Sequence, residues 1–208
     1  MQLFGSIVVA LTLALGPAAY AQSVPSGERQ GVAKPAARDG KWWASADQDR
    51  RDGFFWGASD CLGAEAHIPH GFFGTSRGFN SDAFDKELSR YYADHPADSK
   101  LPVIEVWRKV GPQIGRDSPH TKGGEVYQGP HGFLDGLWYR QGSYSDRLGF
   151  LEGYIECLRH YVAQPSATYS RPVTYYDDKI WDYIDVHPKA YDEAIATLLF
   201  RFRDKPKP

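Results

Sequence analysis

One stretch occurs twice in this chain, and it limits the possible folds more than any other feature. Residues 39–62 read DGKWWASADQDRRDGFFWGASDCL, and residues 135–158 read DGLWYRQGSYSDRLGFLEGYIECL. Laid over each other without a gap, at an offset of 96, nine of 24 positions are identical. They are an Asp-Gly pair, a Trp, an Arg, Gly-Phe, a second Gly and Cys-Leu. Self-similarity at a fixed offset marks an internal duplication whose units bury their apolar faces against each other. The two cysteines of the chain, Cys61 and Cys157, fall in the same register.

Local signals make the repeated stretch a helix. Ser45-Ala46-Asp47-Gln48 has the spacing of a capping box, which predicts a helix from about residue 46 to about 64. Ser143 to Asp146 offers similar chemistry and predicts a second helix over about 145–162. Each helix carries glycines four apart, Gly53 and Gly57 in one and Gly149 and Gly153 in the other. Glycine costs about 1 kcal/mol against alanine inside a helix. Four residues bring each pair onto one face, where it lets another backbone come close. The plainer reading is that the glycines are merely tolerated, but their recurrence favours close packing.

The rest of each half follows a shared plan. Phe84, Leu88, Tyr91 and Tyr92 have helical spacing over 81–94, and Val103, Val106, Trp107 and Val110 over about 99–110. At an offset of 92, Tyr91 and His95-Pro96 fall on Tyr183 and His187-Pro188, and Asp85 falls on Asp177. The last helix is predicted over about 188–203, with Pro188 in its first turn. The offset changes from 96 to 92 in the loop between first and second helices, where length changes are tolerated. Residues 111–132, rich in Gly, Pro and Gln, read as a linker between the halves.

The expected fold is therefore all-α, with two tandem three-helix repeats, 39–110 and 133–208, packed as one pseudo-two-fold helical domain. Three helices bury little core alone, whereas two copies can pack on each other as a homodimer does. Equivalent residues near such an axis meet. In an oxidising compartment that favours a Cys61–Cys157 disulfide; the alternative is two separate buried thiols.

Export is expected from the N-terminus. Residues 3–19 form an apolar run broken only by Gly, Ser, Thr and Pro, ending in Ala19-Tyr20-Ala21. This is the pattern of a secretory signal peptide over 1–21, cleaved after Ala21. Residues 22–38, rich in Ser, Pro, Ala and Gly, read as a flexible leader. No later run is long enough to span a membrane, so a periplasmic or secreted protein is expected. The net charge of −2 is near neutral and argues against nucleic acid as a partner.

Candidate chemistry is sparse. His67 and His70, three apart in the Gly-rich loop after the first helix, have the residue type but no third partner for a metal. Glu152, Glu156 and His160 recur every four residues on one helix; a solvated face explains them. Asp60 and Glu156 are equivalents on the repeated helix and form the candidate acid–base pair. His95-Pro96 and His187-Pro188 read as junctions, with Pro starting the next helix and His packing there. Trp42, Trp43, Trp138 and Tyr139 suit either glycan stacking or closure of a helix end onto the core; recurrence favours the second. No Gly-x-Ser-x-Gly elbow, phosphate loop or dinucleotide fingerprint occurs. No cofactor and no catalytic residue is assigned.

The pattern Gly149-Phe150-x-x-Gly153-Tyr154, with Tyr91 and His95-Pro96 and with Tyr183 and His187-Pro188, resembles the small periplasmic Tai-type immunity proteins. Such proteins are helical, secreted, and block peptidoglycan amidase effectors of type VI secretion. The chain departs from that family in carrying two copies and in its cysteine positions. The plan is also similar to secreted bacterial proteins of unknown function. What the resemblance implies is a non-enzymatic protein that binds a periplasmic or extracellular protein; the Gly/His/Phe-rich composition of the loop at 63–80 makes that loop the expected inserting element. The alternatives are a metal-dependent or acid–base hydrolase using Asp60, Glu156 and nearby histidines, and a cell-wall glycan binder.

Overall fold

A computed structural model describes residues 38–67, 81–117, 134–163 and 168–204. The expected signal peptide, the leader up to residue 37, the loop at 68–80 with His70, and residues 118–132 of the linker lie outside the described residues.

Among the described residues all regular structure is helical, as the sequence predicts. A short helix α1 (Gly40–Ser45) leads into α2 (Gln48–Ala64). Then come α3 (Ser81–Asp94) and α4 (Val103–Asp117). In the second half, α5 (Gly136–Gln141) leads into α6 (Tyr144–Tyr161), followed by α7 (Val173–Val186) and α8 (Ile195–Arg201). Short 3₁₀ turns at Pro96–Asp98 and Pro188–Asp192 precede α4 and α8.

Several predicted boundaries move. The run-in helices α1 and α5 replace expected coil. Asp39 caps α1 by accepting from the Lys41 and Trp42 amides, and Asp135 caps α5 by accepting from the Trp138 amide. That explains the repeated Asp-Gly pair: the Asp caps, and a Cβ on Gly136 would stand 2.1 Å from the Ala190 carbonyl. The cap of α2 is Asp47, not Ser45, because Ser45 ends α1. In α6 the predicted box forms between Ser143 and Asp146. Helix α4 runs on through Pro112 to Asp117, into the predicted linker. The buried Ile114 extends its apolar stripe, and packing overrides the proline there. The last predicted helix is split at Glu193, with the 3₁₀ turn on Pro188 and only Ile195–Arg201 α-helical.

Helices α2 and α6 form the centre. A Cβ on Gly53 would stand 2.1 Å from the Asp146 carbonyl, and one on Gly149 would stand 2.1 Å from that of Arg50. A Cβ on Gly57 would stand 1.9 Å from the Phe150 carbonyl, and one on Gly153 would stand 2.0 Å from that of Phe54. Each contact repeats its mate under the offset of 96. Only glycine permits backbones this close. Cys61 and Cys157 are joined in a disulfide with their Cα atoms 6.1 Å apart.

Aromatic rings fill the space around this seam. Phe55, Phe84 and Trp107 pack edge to face or tilted, with centroids 5.0–5.8 Å apart. Trp42 lies on Phe54 and Trp138 on Phe150, at 5.2 and 5.7 Å. Trp43 and Tyr139 are buried, so the core takes rings that a glycan platform would have to expose. The histidine junctions match in both halves. His95 stacks on Tyr91 with its Nδ1 2.9 Å from the Tyr91 carbonyl, and His187 does the same with Tyr183.

Candidate functional site

The repeated arginine has a structural task. Arg147 of α6 donates to Asp177 of α7 at 2.9 Å, with both side chains buried. Tyr139 also donates to Asp177, at 2.7 Å. In the first half Arg51 stands 2.9 Å from Asp85, without hydrogen-bond alignment and in a wetter setting. The sequence displayed Arg51/Arg147 and Asp85/Asp177 as matched positions. Only the fold shows that they pair.

Glu152 and Glu156 of α6 do not belong to a solvated face. Glu152 and Glu156 are 2% and 3% exposed. Glu152 holds a bidentate pair with Arg50, at 2.9 and 2.6 Å, and a second ion pair with Arg38 at 2.7 Å. A buried carboxylate needs such partners. One of them, Arg38, comes from the end of the predicted leader, and its carbonyl accepts from the Val103 amide at 2.6 Å. Glu156 lies 3.1 Å from His160 Nε2 and 3.6 Å from Arg159. The hydrogen bond to Glu156 raises the His160 pKa. On its other side the His160 ring is 3.7 Å from Glu105, which also accepts from Tyr161 and pairs with Arg108.

Asp60, the equivalent of Glu156, sits differently. Its carboxyl accepts from the Leu134 amide, its buried Oδ2 has no partner, and burial pushes its pKa up to about 7. Glu156 is not among the groups acting on it. The reason lies in the reciprocity of the seam. Asp60 faces residue 134, and Glu156 faces the field of Arg38, which is the mate of residue 134. The two carboxyls thus have different partners, and no interaction between them accompanies the burial of Asp60. His67 is exposed at the edge of the described residues with φ 51°. Among the described residues no group of three or more His, Cys, Asp or Glu could hold a metal ion, and no helix is long and apolar enough to cross a membrane.

A pocket that sequence reasoning missed opens beside the seam. It measures about 220 Å³ and is lined by Glu65, Tyr154, Leu158, Tyr169, Thr197 and Phe200, among others. Glu65 follows α2, Tyr154 comes from α6 and Thr197 from α8, so no single segment reveals it. Tyr154 donates to Glu65 Oε1 at 3.3 Å. Among the described residues no cation lies within ion-pair distance of Glu65, in contrast to Glu105. Shifted by the offsets, Glu65 and Thr197 correspond to Tyr161 and Glu105. There the equivalent place is filled by the Glu105, His160 and Arg108 ion pairs. No family model, no curated protein and no solved structure matches this chain.

Proposed function

We propose that the chain is an exported helical module that binds another protein, inhibitor-like in the manner of the Tai-type immunity proteins. We further propose that it consists of two three-helix repeats, α2 to α4 and α6 to α8, each with a run-in helix. The matched glycine contacts, ion pairs and histidine junctions support that plan. The observation that carries the functional reading is the open pocket. The seam of glycines and the disulfide fix α2 and α6 rigidly, and the pocket lies against that frame with Phe200 39% exposed at its mouth. A preorganised concavity on a rigid scaffold is what a partner side chain docks into at low entropic cost.

The test uses the disulfide-intact protein, immobilised and incubated with periplasmic extract of its source. The wild type is expected to retain a defined partner that Thr197→Trp, which blocks the exposed mouth, fails to retain. Equal retention by both would count against the pocket as the binding place.

A second reading, an acid–base hydrolase, has one observation in its favour. Asp60 with a pKa of about 7 is both acid and base near neutrality. Release of fragments from peptidoglycan or peptide substrates that disappears in Asp60→Asn would establish it.

A further inference from the structure

We propose that the pocket between α2, α6 and α8 is a receptor for a primary ammonium, namely a lysine side chain presented by a protein partner. This deepens the protein-binding reading and rests on it.

The one formally charged side chain of the pocket lining is a carboxylate. Glu65 lines it without a cation, and Asp204 stands nearby, accepting from the Ser170 amide and from Tyr176. Two cations border the pocket, with N–H groups directed to backbone carbonyls. Arg203 donates to the Phe200 carbonyl and packs on the Phe200 ring at 3.8 Å. Arg159 donates to the Tyr169 carbonyl and pairs with Glu156. The walls are aromatic, from Tyr154, Tyr169 and Phe200. A carboxylate among aromatic faces attracts a cation both directly and through the ring quadrupoles.

The lining offers what an ammonium needs. An ammonium is a point charge with three donors and needs single acceptors at several angles. Glu65 Oε2 and the exposed Thr197 hydroxyl supply them. The four-carbon stem of lysine then lies along Leu158 and Ala196, which line the same pocket.

The direct test is a titration of the ¹⁵N-labelled, disulfide-intact protein with N-acetyl-lysinamide, followed by amide chemical shifts. N-acetyl-norleucinamide has a similar apolar stem and no charge. The expected result is a saturable shift at Glu65, Thr197 and Phe200, with norleucinamide about fivefold weaker or worse. Glu65→Gln, whose spectrum reports its own folding, should lose the same preference. Should that variant fail to fold, Thr197→Trp serves instead and should abolish the shifts. The inference is overturned if the lysine probe leaves these amides unmoved up to about 50 mM, well above a millimolar dissociation constant. It is equally overturned if norleucinamide binds as well. Lysinamide binding at the pocket without a retained partner protein would sink the functional reading alone.

Discussion

At the scale of single residues, the seam carries two acids with opposite solutions to burial. Glu152 is paired with Arg38 and Arg50; Asp60 is buried with one oxygen unpartnered, and burial pushes its pKa up to about 7. The sign of the Asp60 effect follows from proton counting. Its folded pKa lies above the usual 3.8, so the native state binds more protons between pH 4 and 7. Its contribution to stability is complete below pH 4 and is lost as pH rises through 7. The raised pKa of His160 acts in the same direction, with its stabilisation present below 6.5 and lost above. Asp60→Asn keeps an acceptor for the Leu134 amide and removes the charge. Its thermal midpoint should exceed that of the wild type at pH 8, with a shallower fall between pH 5 and 8; an unchanged pH profile would refute the assignment. Glu152→Ala should cost about 3–5 kcal/mol in chemical denaturation, because it removes the buried carboxylate of an ion-pair network. The Asp60–Glu156 equivalence was legible in the sequence. The burial of Glu152 was not, because its partners lie 102 residues away and in a segment with the composition of a leader.

At the scale of helices, the glycine pairs decide how near α2 and α6 come. Gly57→Ala would set a Cβ 1.9 Å from a carbonyl oxygen, so the helices must part. The loss should be about 3 kcal/mol, despite a gain of about 1 kcal/mol in helix propensity. Gly142→Ala is the control: its nearest neighbour is 3.3 Å away and its φ is −64°. It should change stability by less than about 1 kcal/mol. Equal losses at the two sites in urea denaturation would contradict the close-packing account. The recurrence of these glycines made α2 and α6 readable from sequence. Helices α1 and α5 were missed because six residues leave no room for a period. The extent of α4 was missed because Gly111-Pro112 reads as a stop signal, yet Ile114 is held in the core.

At the scale of the whole molecule, positions matched by the sequence offsets are used unequally. The positions around Glu105 are filled with ion pairs, and the matching positions around Glu65 and Thr197 leave a pocket. Duplication is visible in a sequence because it repeats; a pocket arising where the copies differ has no repeating signal. That is why the all-α class was more legible than the pocket. The account stands on α2 and α6 meeting with their equivalent residues face to face, and the cysteines report this directly. Denature the unreduced protein, alkylate, digest and analyse by mass spectrometry. The account predicts no alkylated cysteine and one linked peptide pair containing Cys61 and Cys157, released by reduction. Two alkylated cysteines in the unreduced protein would contradict it.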